Sequence, residues 1–333
     1  MITSEWPTPG VRFTTHFIKR QADFLRAAGV ALDVHVFRGS KQPLNYFTAW
    51  RRVRPLLTRE RYDLVHAQFG QSGVIALPRR IPLVVTMRGS DLLGIVSDRT
   101  GRHTLRGRVL QRVSRFVGRH ADAVILVSAH MRAELKTSAP VHVIPSGLDL
   151  ELFRPMDYAA CRAQLGLDPH TPVVLFVGKP HQARKRLALA QRAMEIVNAR
   201  ASQKAQLIVA WKVEHEQIPV YMNAADALLV TSMQEGSPNV VKEALACNLP
   251  VVSVPVGDVY ERLRGVPGAE VTSDDRPETI AAALERVLAR RERIDGRAAV
   301  LHLDERILTE RVVALYRFVL RNRSTRKQST RAR

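Results

Sequence analysis

The chain has 333 residues and a formal net charge of +20, from 51 basic and 31 acidic side chains. That length suits one or two domains, each burying its own core, and no apolar run reaches the roughly 18 residues of a membrane span. The start, Met1-Ile-Thr-Ser-Glu-Trp-Pro7, lacks the basic and apolar regions of a signal peptide. Two cysteines, Cys161 and Cys247, argue against a disulfide framework and for a reducing compartment, so a cytoplasmic location is expected.

In chain order, Met1-Ile-Thr3 is all that remains of a first strand, which leaves room for a start further upstream. Thr14 to Ala28 reads as a helix with Phe17, Ile18, Phe24 and Leu25 as its apolar stripe. Val30 to Phe37 reads as a strand, with further strands near 63–68, 81–87, 122–127 and 141–145. Between the last four strands lies a segment with Arg102, Arg106, Arg108, Arg112, Arg115 and Arg119 and no acid among them. Leu105, Val109, Val113, Phe116 and Val117 recur there at helical spacing. Two readings stand: a core-packed helix with a solvated arginine face, or a basic amphipathic helix on an anionic membrane.

The second half repeats the style, with strands near 172–177, 206–211, 226–231 and 249–254. Helices are expected over Leu187 to Arg200, Glu278 to Arg291 and Glu305 to Leu320. Two α/β halves meeting near Asp149 to Pro155 predict two domains and a cleft, the default place for a small ligand. Residues 321–333 carry six basic side chains and no acid, and are expected to be a disordered tail that adds electrostatic attraction to a membrane.

The segment Glu235-Gly-Ser-Pro-Asn-Val-Val-Lys-Glu243 sets two carboxylates eight positions apart across a loop-to-helix junction. Ala227 to Ser232 is a buried-type strand, so Glu235 falls at its carboxyl end, where open α/β sheets bind ligands. Ser237 is the expected N-cap, and Pro238 the first residue of a helix reaching Cys247. Glu243 then stands about 7 Å along that helix. The helix start favours oxyanions between the two carboxylates. Taken alone, such a pair is common by chance.

Lys179, Arg184, Lys185 and Arg186 follow the strand that ends at Gly178. Cations are unfavourable at a helix start, so an anionic ligand explains them better than solvation does. Asp274-Asp275 reads as a solvated turn. His66, on a strand beside Gln68, reads as a satisfied core histidine or as a ligand residue. No Cys/His cluster has zinc spacing and no metal anchor stands out, so no metal or cofactor is expected.

The run Ser232-Met-Gln-Glu235-Gly236-Ser-Pro238-Asn-Val-Val-Lys-Glu243-Ala244-Leu-Ala246-Cys-Asn-Leu-Pro250-Val-Val resembles the signature of retaining glycosyltransferases of family 4. Gly257-Asp-Val-Tyr-Glu261, Val143-Ile-Pro145-Ser-Gly147-Leu-Asp149, Val173 to Lys179, Asp63-Leu-Val-His66-Ala-Gln68, Arg88-Gly89-Ser90-Asp91 and Ala121 to Ser128 resemble further landmarks in the family's order. The resemblance implies the GT-B fold, an α/β architecture of two Rossmann-like domains facing each other across a cleft. It implies an acceptor-side domain over 1–155, a donor domain over 156–304 and a final helix, 305–320, packing toward the first domain.

It implies a retaining transfer, without a metal, from a nucleotide-sugar donor to a glycan or lipid-linked acceptor in polysaccharide or glycolipid synthesis. The arginine helix and the basic tail, not the resemblance, lead to an expected peripheral attachment at the inner face of the membrane. Glu243 would hold the donor ribose, and Glu235 would face the sugar as the catalytic candidate. Gly236, Ser237, Pro238 and Asn239 would lie alongside, and Gly178, Lys179 and Lys185 at the diphosphate. Gly10, His66, Arg88 and Asp91 would lie on the acceptor or sugar side. Lys179 stands where the family usually has Arg, Arg88 where it often has His, and Pro9-Gly10 where it has a Gly-Gly loop. These departures keep open a catalytically idle scaffold that binds a glycan or a partner. Charge alone prompts a nucleic-acid binder, but no recognition motif and only 6% aromatics support one, so no nucleic-acid partner is expected.

Overall fold

The computed structural model describes residues 1–7, 16–39, 42–97 and 100–331, with side chains to Asn322. The chain divides into two compact units. The first comprises Met1–Ile95, His103–Gly147 and Glu305–Arg333, and the second Val96–Arg102 and Leu148–Asp304. The expected boundary at 155 thus falls at Gly147, and a short segment before the arginine helix goes with the second unit.

The first unit contains β1 (Ile2–Thr3), α1 (His16–Ala27), β2 (His35–Val36), α2 (Pro43–Val53), β3 (Val65–Gln68), β4 (Leu83–Met87), α3 (Ser90–Leu93), α4 (Leu105–His120), β5 (Ala123–Leu126) and β6 (Val141–Val143). Its six strands are parallel, in the order β2-β1-β3-β4-β5-β6. The strand expected over Val30 to Phe37 shrinks to two residues at the sheet edge, where one partner strand is all it has. β3, β4 and β5 are fully buried, as helix-covered parallel strands must be; β4 and β5 are mostly apolar, while β3 carries His66 and Gln68.

The second unit contains α5 (Tyr158–Gln164), β7 (Val173–Val177), α6 (Leu187–Arg200), β8 (Gln206–Ala210), α7 (Ile218–Ala224), β9 (Ala227–Val230), α8 (Asn239–Ala246), β10 (Val251–Ser253), α9 (Val259–Leu263), β11 (Glu270–Val271) and α10 (Pro277–Arg290). Its sheet, also parallel, runs β11-β10-β9-β7-β8. β11 had no sequence signal, being two residues long. The order reverses between β7 and β9: β7 is followed in the chain by β8 on one side, and β9 by β10 on the other. Such a reversal opens a crevice at the carboxyl ends of the two strands.

A buried guanidinium anchors the opposite end of this unit. Arg162 of α5, 2% exposed, donates from Nε to Ala224 O (3.0 Å) and from Nη1 to Asp168 O (2.6 Å) and Thr171 O (2.8 Å). Its Nη2 pairs with Asp226 Oδ2 at 2.7 Å. That carboxylate also accepts from Val173 N (2.6 Å) and Tyr158 OH (2.9 Å). Burial, then the Asp226 hydrogen bond, pushes the Tyr158 phenol up to about 12.

The last helix, α11 (Glu305–Arg331), belongs to the first unit and continues through most of the expected tail. Glu305 accepts from Arg20 Nε of α1 at 3.0 Å, and Arg20 Nη2 donates to Gly147 O at 2.6 Å. Residues 332 and 333 lie outside the described part.

Candidate functional site

The crevice between β7 and β9 is built by two loops stitched together. After β7 the chain passes Gly178 and Lys179 and makes a tight turn over Ala183–Lys185. Arg186, with φ 53°, adopts a left-handed conformation before α6 begins at Leu187. After β9, Thr231 donates its hydroxyl to Lys185 O (2.8 Å) and Arg186 O (3.1 Å), and Met233 N donates to Arg184 O (2.8 Å). Arg184 Nη1 donates to Gln234 O at 2.7 Å, and Arg186 Nε to Thr231 O at 2.6 Å. The positions of the basic side chains are therefore set by backbone contacts.

Glu235 stands at the centre of this stitching. Its Oε1 accepts from Lys185 Nζ at 2.7 Å and its Oε2 pairs with Arg184 Nη1 at 2.8 Å. Burial alone would raise its pKa, but the two cations and their hydrogen bonds outweigh burial and hold the carboxyl at about 2. The sequence treats Glu235 as a carboxylate facing a sugar and Lys185 as a diphosphate cation. The structure pairs them with each other, because the hydrogen bonds between the two loops bring Lys185 against Glu235. Glu235 is a fixed anion that aims Lys185 and Arg184.

Arg186 forms an ion pair with Asp275, and Asp274 accepts from Arg276 N at 3.0 Å. The Asp274-Asp275 turn is thus solvated, as expected, with Asp275 also paired at the basic rim. Lys179 is the cation of the four that has no acidic partner among the described residues. Its Nζ lies 5.5 Å from the Trp211 ring centroid, a distance at which the ring face attracts it.

The loop leads into α8 with one rearrangement of the expected start. Pro238, φ −68° and ψ 113°, occupies the cap position itself, and the helix begins at Asn239. Ser237 does not cap: its hydroxyl donates to Asp258 Oδ2 at 2.9 Å, an oxygen shared with Arg262 Nε at 2.9 Å. Ser237 stands one residue before the cap position, and its hydroxyl is oriented by the buried Asp258 carboxylate. Asp258 Oδ1 and Asn239 Oδ1 are buried without a hydrogen-bond partner. Gly257, φ 60°, lets the backbone pass under the loop: a Cβ there would stand 3.1 Å from Glu235 O and 3.2 Å from Gly236 O. Asp258 and Gly257 were visible in the sequence only as part of a remote landmark.

Glu243 is the fifth residue of α8 and 7% exposed. Its carboxylate has no hydrogen bond or ion pair among the described residues. Of the two glutamates, Glu243 is the one left without a structural task.

The candidates in the first unit fare differently. His66 is 2% exposed, with Nδ1 2.6 Å from Tyr316 OH and Nε2 2.7 Å from Thr86 Oγ1. Burial, then the charges of the amino terminus and Arg88, lowers its pKa to about 3. Both ring nitrogens are used inside the core, so His66 is not available to a ligand. Asp91 is buried and accepts from the amides of Gly70 (2.9 Å), Gly89 (2.8 Å) and Arg88 (3.0 Å). Burial raises its pKa while those amides oppose the rise. It staples backbone and does not reach a ligand. Gly10 lies outside the described residues.

Arg88 is half-buried, with burial lowering its pKa to about 10. It donates from Nη2 and Nε to Gln68 Oε1 (2.6 and 3.0 Å), from Nη2 to Gln21 Oε1 (3.0 Å) and from Nη1 to Ser146 Oγ (2.8 Å). The guanidinium lies 4.6 Å from the Phe17 ring centroid. Its hydrogen-bond partners are neutral, while Glu305 and Asp91 act on it as nearby opposite charges.

Two family models match the chain: Glycosyltransferase Family 4 over residues 10–152 and Glycosyl transferases group 1 over residues 171–290. The chain is similar to the D-inositol 3-phosphate glycosyltransferase of Segniliparus rotundus, 28% identical over 309 residues, covering 78% of this chain and 67% of that protein. It is 30% identical over 281 residues to the enzyme so named from Geodermatophilus obscurus, covering 71% of this chain and 62% of the relative. The match to the latter thus spans less than two thirds of the relative's length. Among solved structures, sucrose-phosphate synthase from Thermosynechococcus elongatus superposes with a TM-score of 0.77 at 22% identity, covering 92% of this chain and 93% of that one. Anabaena HepE in complex with UDP superposes with a TM-score of 0.68 at 16% identity, covering 94% and 98%. At these identities the likeness concerns the fold, which is GT-B. The paired matches, the shared fold and the Glu235–Glu243 junction in its expected place show that the chain belongs to the family 4, group 1 glycosyltransferases.

Proposed function

We propose that the protein transfers a sugar from a nucleotide-sugar donor held at the β7/β9 crevice of the second unit. The observation that carries this reading is the Glu243 carboxylate, on a largely buried residue and without a partner among the described residues, on the helix that directly follows a fixed cationic cluster. A nucleoside diphosphate offers a matching pair of features: vicinal ribose hydroxyls that donate to a carboxylate, and a diphosphate that needs cations. Glu243 takes the ribose. Lys185 and Lys179 face the diphosphate together with the amides at the start of α8. These groups stabilise the charge that develops as the diphosphate departs. Glu235 is retained as the residue nearest the sugar, but in a positioning role, because both its oxygens already hold cations. Positive side chains do what a metal would otherwise do, so the reaction proceeds without one.

The acceptor is proposed to be a glycan or lipid-linked molecule in cell-surface polysaccharide or glycolipid synthesis. The names of the relatives add D-inositol 3-phosphate to the acceptors worth testing, and the neutral-partnered Arg88 suits an acceptor phosphate. The test is a panel of UDP-, GDP- and ADP-sugars, with and without acceptor, read as nucleotide release. Release with at least one donor, undiminished by EDTA, is expected. Failure of every donor both to release nucleotide and to shift the melting temperature would support a scaffold that binds without turnover.

A further inference from the structure

The arginine helix does not pack as its apolar periodicity suggests. α4 meets the rest of its unit through small side chains: Gly107, Ser114 and Gly118 are buried with Val117. The approach is close. A Cβ on Gly107 would stand 2.4 Å from Ile95 N, and one on Gly118 would stand 2.9 Å from Leu135 Cδ1. Facing inward with these residues turns the larger apolar ones outward. Leu105 is 76% exposed, and Val109 and Phe116 are each 51% exposed. At about 3.6 residues per turn these three fall on one line, opposite the buried face. Arg108, Arg112 and Arg119 flank that line on one side and Arg106 on the other, all exposed. Arg115 points elsewhere, to Glu134. α2 packs on the same Gly70–Ala76 segment as α4, and it too exposes two large apolar side chains, Leu44 and Phe47.

We propose that this face of α4 is a docking surface for an anionic lipid bilayer. A ridge of Leu, Val and Phe bordered by arginines matches the boundary between acyl chains and acidic headgroups: the ridge enters the apolar layer and the guanidinium groups remain among the headgroups. Charge decides between occupants. A second copy of a chain with net charge +20 would bring arginines against arginines. A nucleic acid would satisfy the arginines but leave the aliphatic ridge in water. The surface would hold the enzyme where a lipid-linked acceptor is found, yet it does not depend on the donor reading, because nucleotide release from a soluble acceptor is indifferent to it.

The test is flotation of the full chain with vesicles of phosphatidylcholine alone or mixed with phosphatidylglycerol, at low and high salt. Binding to the mixed vesicles only, weakened by salt, is expected. A Leu105→Ser, Val109→Ser, Phe116→Ser variant and an Arg108→Glu, Arg112→Glu, Arg119→Glu variant should each lose roughly tenfold or more in partitioning, with unchanged melting temperatures because these side chains are exposed. In a separate Phe116→Trp variant, the tryptophan signal in excess of the native Trp6, Trp50 and Trp211 should shift to the blue on mixed vesicles and be quenched by brominated acyl chains. Absence of flotation at low salt, wild-type flotation by either triple variant, or an unquenched Trp at 116 would overturn the proposal. So would oligonucleotide binding that displaces the vesicles and survives loss of the apolar ridge.

Discussion

Glu243→Ala is expected to weaken nucleotide-donor binding roughly 10- to 100-fold, with an unchanged melting temperature. Hydrogen bonds to a charged group contribute about 1.5–3 kcal/mol each, and a carboxylate can hold two ribose hydroxyls. The stability half of the expectation follows from the carboxylate's isolation. A side chain only 7% exposed, without a hydrogen bond or ion pair among the described residues, stabilises nothing by being charged. A structural role would give the opposite pattern, with stability lost and affinity retained. Calorimetric titration and thermal melting of the same variant separate the two. Glu243→Gln should fall between, keeping the shape and one acceptor. Lys185→Ala is a less clean probe, since it also leaves Glu235 with one cation in place of two.

Arg162→Ala is expected to cost about 3–5 kcal/mol of unfolding free energy, the range for stripping one partner from a buried pair. The guanidinium serves three carbonyls and a carboxylate from a site 2% exposed. Its loss leaves those acceptors unpaired and Asp226 without its countercharge, against the start of β7. It touches none of the donor-site residues. Affinity for nucleotide in the fraction that remains folded should therefore be unchanged. A denaturation midpoint within about 1 kcal/mol of wild type would show that water replaces the guanidinium.

The sequence already carried the two-unit α/β architecture, since long buried strands such as β4 and β7 announce themselves by composition. α6 begins and ends where its pattern placed it, because Arg186 and Arg200 bracket a continuous helical run. What sequence could not supply was partner choice. Ser237 reads as a cap from sequence, but Pro238 takes the cap position and the Ser237 hydroxyl donates to Asp258, 21 positions away. Lys185 and Glu235, 50 positions apart, looked like separate ligand contacts and are paired with each other. His66 and Asp91 matched landmarks but are used up by Tyr316, Thr86 and loop amides. Arg162 gave no local signal, as its importance lies wholly in the carbonyls gathered around it. In α4 the hydrophobic period was real, yet the glycines decided the packing: a helix approaching this closely must turn its small residues inward. Fifty positions of separation or a missing Cβ leave little trace in local periodicity.

The proposed donor site lies at the loops after β7 and β9 and the start of α8. Hydrogen–deuterium exchange with UDP, GDP and ADP in turn tests this location directly. With the cognate nucleotide, slowed exchange is predicted over residues 178–186 and 235–243, and its loss over both segments in Glu243→Ala. Protection confined to the first unit, or none over these segments with any of the three nucleotides, would contradict it.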